Sequence, residues 1–178
     1  DLAIQGRMED KENINISAKS NELDLSALIG NEKKWGKTSF DIKGEGFIKD
    51  NKLKSFGIGG IFNKLTFQDY AYKDIIFNAY GVGNEYSAEL EVDDSNLQMT
   101  ANATTNWKSL SKHINLITEV EQFRPHALNL TEKHPNTNFS GDINVSFSGK
   151  DIEDMEGELS IENFIMESEK ETYTQSPI

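Results

Sequence analysis

Along most of the chain apolar residues recur at every second position, the period of a strand with one greasy and one wet face. Phe40, Ile42, Gly44, Gly46 and Ile48 alternate with Asp41, Lys43, Glu45 and Lys49, and only Phe47 interrupts the polar series. Tyr86, Ala88, Leu90 and Val92 alternate with Glu85, Ser87, Glu89, Glu91 and Asp93, and Leu97, Met99, Ala101, Ala103, Thr105 and Trp107 alternate with amides and threonines. Between these two runs stand Asp93, Asp94, Ser95 and Asn96. Those are turn formers, so the pair reads as an antiparallel hairpin. Phe139, Gly141, Ile143, Val145, Phe147 and Gly149 form another such run, and Met155, Gly157, Leu159, Ile161 and Ile165 continue the theme. The pattern predicts an all-β chain with at least eight antiparallel strands. Helix is expected only as short turns, one within Ser20 to Ile29 and one within Gln122 to Leu130, both read as connectors.

A one-sided strand must bury its face against another sheet, against its own far end by closure, or against a ligand. The alternation leaves that choice open between a curled, open β-groove and a β-sandwich.

Sliding the chain by 100 positions brings identical residues into register. Ile14-Asn15 meets Ile114-Asn115, Ala27-Leu28 meets Ala127-Leu128, and Glu32-Lys33 meets Glu132-Lys133. Phe47, Gly57, Ile61 and Asn63 meet Phe147, Gly157, Ile161 and Asn163. The order of polar turn, strand, apolar connector, charged loop and glycine-bearing strand also recurs. The expected organisation is a partial first repeat over 1–78 and a second over 79–178, in one continuous β structure. Repeats of this kind bury a shared core by stacking and need neighbours. With Asp1 rather than Met leading directly into a strand pattern, the chain reads as a piece of a longer protein.

Composition narrows the functions. The 178 residues carry 30 Asp and Glu against 18 Lys and Arg, a net charge of −12, and no cysteine. Such a balance disfavours nucleic acid, whose affinity rests on clustered Lys and Arg releasing counterions. Absent cysteine removes thiol catalysis, thiolate metal sites and disulfide frameworks. No window approaches the run of about 18 apolar residues needed to cross a bilayer as a helix.

Candidate chemistry is sparse. His113, His126 and His134 lack metal-ligand spacing, and neither Asp93-Asp94 nor the cluster Asp151, Glu153, Asp154, Glu156 and Glu158 matches a Ca²⁺ loop. These charges read as a solvated edge that discourages strand pairing with other chains. Gly57, Gly59 and Gly60 lack the Lys-Ser or Lys-Thr of a phosphate loop and read as a bulge or bend in a curling sheet. Tyr70 and Tyr72 read as part of a cross-strand aromatic cluster rather than a sugar platform. The expectation is a non-enzymatic protein with no cofactor and no metal.

Three runs carry a family resemblance. Tyr70-Ala-Tyr-Lys-Asp-Ile75, then Tyr86-Ser-Ala-Glu-Leu-Glu-Val-Asp-Asp94, then Asn96-Leu-Gln-Met-Thr-Ala101 resemble the repeat of TamB-like proteins of the AsmA superfamily, in the form seen in Bacteroidetes. Ala127-Leu-Asn-Leu130 and Ile152-Glu-Asp-Met-Glu-Gly-Glu-Leu-Ser-Ile161-Glu-Asn163 are similar to that repeat's next landmarks. The resemblance implies a long periplasmic protein anchored in the inner membrane by a helix outside this segment. Its repeats would curl into a U-shaped groove that carries phospholipid between inner and outer membrane, or aids outer-membrane assembly through a partner protein there. Phospholipid acyl chains would then contact Leu90, Val92, Leu97, Met99, Ala101, Ile143, Val145, Phe147, Leu159 and Ile161. The alternative is a β-sandwich interaction module of a cell-surface protein that binds protein or glycan through its loops.

Overall fold

In a computed structural model the chain is all-β, and every strand pairing whose register is described is antiparallel. The structure describes residues 1–10, 12–30, 34–108, 111–169 and 171–175. The chain divides into two compact units, Asp1–Ala88 and Glu89–Ile178.

In the first unit, β1 (Leu2–Glu9), β2 (Asn13–Asp24), β3 (Trp35–Lys49), β4 (Lys52–Phe67) and β6 (Ile75–Val82) pair in that order, and β5 (Tyr70–Tyr72) pairs with the end of β4. Alternation selects these strands and turn chemistry joins them. Asp50-Asn51 links β3 to β4 and Gln68-Asp69 links β4 to β5, each pair with both φ angles positive, between 50° and 61°. That is the geometry of a tight two-residue hairpin, and short polar side chains tolerate it. The only α-helix among the described residues, α1 (Leu25–Ile29), is capped by the Asp24 carboxylate, which accepts from the Ser26 N–H, and is ended by Gly30 at φ 73°.

The strand β7 (Glu85–Asp94) carries the chain into the second unit. There β8 (Leu97–Lys108), β9 (Ser111–Phe123), β10 (Asn138–Gly149), β11 (Glu156–Glu167) and β12 (Thr172–Thr174) pair in that order. The Asp93 to Asn96 turn behaves as its residues dictate, with Asp94 Oδ1 accepting from the Asn96 N–H at 2.9 Å.

Shifted by 100 residues, β1, β2, β3 and β4 overlap β8, β9, β10 and β11, and β5 meets β12 at Thr172. Irregularities recur too. The β2 register jumps between Ser20 and Leu23, and the β9 register between Val120 and Phe123. Asn63, like Lys54, is an unpaired extra residue of β4 against β3, and Asn163, at φ 52°, sits in the β11 break that matches Asn63. The Glu32-Lys33 match lies outside the described residues.

Local expectations shift in four places. The Gly57 to Gly60 run is regularly paired, and the bulge falls at Asn63 instead. Gly60 is needed for close approach, since a Cβ there would fall within 2.8 Å of Ile42 Cα and closer still to the Asp41 carbonyl. Residues 20–24 belong to strand β2, and only 25–29 turn helical. Gln122 and Phe123 finish strand β9, and 125–129 form turns. Tyr70 and Tyr72 pack on each other within one strand, ring centroids 4.8 Å apart.

The chain has little core. Its accessible surface is 12449 Å², against about 8,700 Å² for a close-packed monomer of this mass. Val92 and Leu128 are the only buried hydrophobic residues among those described.

Candidate functional site

All ten residues expected to form an acyl-chain surface lie in the second unit. Leu90 and Val92 stand on β7, with Val92 buried and Leu90 half-buried. The other eight fall on one sheet face, because directly paired residues share a face and residues two apart along a strand do too. Printed across the strands, one row is Ala101, Thr118, Ile143 and Ile161, and the next is Ala103, Leu116, Val145 and Leu159. A third is Thr105, Ile114, Phe147 and Gly157. Met99 pairs with Val120, which pairs with Gly141. Leu97 pairs with Phe123, at the start of an aromatic ladder through Phe139 and Phe164 to Tyr173, with successive centroids 6.1 to 6.4 Å apart.

Residues of β9 complete this face and were not singled out from the sequence. Ile114, Leu116, Thr118 and Val120 do alternate, but Ile117 breaks the polar series between them and hides the period. Ile117 itself points to the opposite face and is 52% exposed. That opposite face is polar and acidic: Thr100, Glu119, Asp142 and Glu162 form one of its rows, and Thr104, Asn115, Ser146 and Glu158 another.

Most of the apolar face is half-buried, and its β11 edge is exposed. Leu159 is 63% and Ile161 45% exposed, while Thr118, in the middle of the sheet, is buried by its neighbours. At one end Lys112 is held in place, its Nζ 2.7 Å from Asp151 Oδ1 and 6.0 Å from the centroid of the Trp107 ring, and it also donates to the Lys150 carbonyl. Such a surface excludes water from whatever apolar chain lies on it.

The first unit also has an apolar face, with rows Ile4, Ala18, Ile42, Gly60, Phe77 and Gly6, Ile16, Gly44, Ile58, Ala79. Its opposite face carries the rows Gln5, Ser17, Lys43, Gly59, Asn78 and Arg7, Asn15, Glu45, Gly57, Tyr80. These two polar rows line an open cleft of about 970 Å³. Nearer the helix, Glu22 in the β2 irregularity accepts from Lys64 at 2.7 Å and faces Lys37 at 3.3 Å. The Lys64 hydrogen bond, then that of Lys37, holds its carboxyl below the usual glutamate range. Asp24 is lowered as well, first by the Ser26 hydroxyl.

His113 stands beside Ser111, with Nε2 2.7 Å from its Oγ. No three His, Asp or Glu side chains gather into a metal-binding group among the described residues. No helix among them is long and apolar enough to cross a membrane. No family model, curated protein or solved structure matches the chain.

Proposed function

We propose that this chain is a segment of a TamB-like envelope protein and that the apolar face of its second unit takes phospholipid acyl chains by exclusion of water. One observation carries the reading. Leu97, Met99, Ala101, Ile143, Val145, Phe147, Leu159 and Ile161 share a single sheet face, on which Leu159 and Ile161 are exposed and the other six half-buried. Each square ångström of such a surface covered by an acyl chain gains about 25 cal/mol, and the gain needs no directional partner. The surface therefore suits ligands that are long, apolar and variable in detail. The ordered polar reverse face keeps the other side in water. A periplasmic setting, with the parent anchored in the inner membrane and working toward outer-membrane assembly, belongs to the same proposal.

Photo-crosslinking residues at half-buried Val145 and exposed Leu159, with exposed Ile117 as a control on the polar face, test it in cells. Phospholipid adducts at the first two positions and none at Ile117 are expected. Adducts equal at all three, or absent at Val145 and Leu159 in a folded protein, would overturn the reading.

A further inference from the structure

The polar face of the first unit is more than a wet reverse side. We propose that its cleft binds a neutral oligosaccharide. The cleft measures about 970 Å³ and adjoins a second of about 420 Å³, with Asn15, Glu45 and Gly57 lining both. Ligand sites span about 300–1,000 Å³. Five strands at about 4.8 Å spacing give a floor about 19 Å long, enough for several linked sugar rings.

The chemistry of the lining selects the ligand class. Asn15 and Asn78 each bring an amide with two donors and an acceptor, Lys43 brings donors and Glu45 acceptors. None of these four side chains has a hydrogen-bond or ion-pair partner among the described residues. They are unspent groups converging on one concavity. A ligand dense in hydroxyls, each both donor and acceptor, matches that mixture better than an apolar or singly charged one.

Charge points the same way. Arg7 is bridged to Glu9 at 3.3 Å, and Lys43 stands two residues from Glu45 on the same face. The two adjoining clefts together thus hold two cations, Arg7 and Lys43, and two carboxylates, Glu9 and Glu45, although the chain as a whole stands at −12. A balanced site gives an anion no advantage.

Tyr80 supplies the apolar element. It pairs across the strands with Gly57 and is 52% exposed, and its Cδ1 lies 3.5 Å from where a Gly57 Cβ would be. The ring occupies space that the glycine leaves and keeps much of its surface in solvent. The weakly positive C–H groups of a pyranose meet the negative face of such a ring. At Gly59 a Cβ would collide with the Asn78 amide oxygen, so the missing side chain leaves that amide its place. The inference does not depend on the lipid reading, which concerns the other face of the other unit.

Titration of the isotope-labelled 178-residue protein with cellohexaose, chitohexaose and hexagalacturonate, followed by amide chemical shifts, tests it. At least one neutral probe should shift the amides around Gly57 and Gly59. Tyr80→Ala and Asn15→Ala should each weaken that binding about two- to tenfold, the value of one lost hydrogen bond or contact. Asn144→Ala, on the polar face of the second unit, should leave it unchanged, and Asn78→Ser serves if Tyr80→Ala fails to fold. Stronger binding of hexagalacturonate than of both neutral probes would overturn the proposal, as would shifts confined to other residues or no shift from any probe at millimolar concentration.

Discussion

Ala27-Leu28 and Ala127-Leu128 are the same dipeptide one hundred residues apart, and they end in opposite environments. Leu28 sits on helix α1 and is 66% exposed, with Ile29 beside it at 56%. Leu128 is wholly buried. The local backbone explains the difference. In the first unit Asp24 caps a helical turn and Gly30 ends it, whereas in the second Asn129 takes the left-handed conformation one residue earlier, at φ 59°. The turn is held by Leu128 N–H donating to the Arg124 carbonyl and Leu130 N–H to that of Pro125. Near the β2 irregularity, the first unit uses charge, Glu22 with Lys37 and Lys64. At the equivalent places the second has Gln122, Thr137 and Phe164, and Phe164 joins the aromatic ladder. A repeated strand plan therefore tolerates either an ionic or an apolar closure.

The strongest way to break this comparison is to truncate both leucines. Leu128→Ala should cost about 2–5 kcal/mol, as for a fully buried leucine. Leu28→Ala should stay within about 0.5 kcal/mol, the range of exposed substitutions. Urea unfolding midpoints measure both. Equal losses would mean that the two connectors are packed alike.

Gly57 and Gly157 offer a second matched pair. A Cβ on Gly57 would meet Glu45 Cγ and Tyr80 Cδ1 at 3.5 Å, ordinary contact, whereas on Gly157 it would collide with the Ser146 carbonyl and come within 2.7 Å of Phe147 Cα. Backbone cannot swing aside as a side chain can. Gly157→Ala should destabilise by about 1–3 kcal/mol, the usual cost of forcing a backbone shift, and Gly57→Ala by less than about 0.5 kcal/mol. Thermal unfolding of the two variants compares them, and a Gly57→Ala loss as large as that of Gly157→Ala would show that the first sheet is the tighter one there.

Much of the fold is legible in the sequence because period two leaves a mark wherever one face is apolar. The Leu97 to Trp107 and Phe139 to Gly149 runs become β8 and β10. Bulge positions are not legible: Asn63 and Asn163 look like any polar strand residue, and only the register shows the extra place. Nor is the fate of an apolar connector, since Leu28 and Leu128 share their neighbour in sequence and differ in what the next turn allows. The sites divide similarly. Alternation places eight of the ten acyl-surface residues on one face, but β9 escapes because Ile117 breaks its pattern. The polar cleft of the first unit is invisible to periodicity, which reads Asn15, Lys43, Glu45 and Asn78 as a solvated face and cannot tell that two glycines open a concavity among them.

A third test bears on the closures themselves. Phe164 contacts Phe139 and Tyr173 at centroid distances of 6.1 and 6.4 Å, and each such pair adds about 0.5–1.5 kcal/mol beyond area burial. Phe164→Ala should therefore cost more than Lys64→Ala, whose exposed ion pair is of the kind that adds about 0–1 kcal/mol. Hydrogen exchange in β11 against β4 reads the two effects separately, and a greater loss of protection from Lys64→Ala would reverse the assignment of the two closures.

The smallest expected effect depends on pH. The Glu22 carboxyl is held below its ordinary value in the folded chain by Lys64 and then Lys37. A group with a depressed folded-state pKa contributes stability above its unfolded value and loses it as pH falls through the folded one. Acidification should thus loosen the residue 21–24 irregularity of the first unit, an effect that added salt mimics by screening the exposed pairs. The Glu22 amide, which donates to Ser39 Oγ at 3.0 Å, reports it in an NMR titration. Its transition should lie below the usual glutamate range and disappear in Glu22→Gln, a variant that places at 22 the same residue type as Gln122 in the second unit. A transition at the ordinary glutamate value would show that the lysines contribute nothing there, leaving the first unit with no ionic closure to set against the aromatic one.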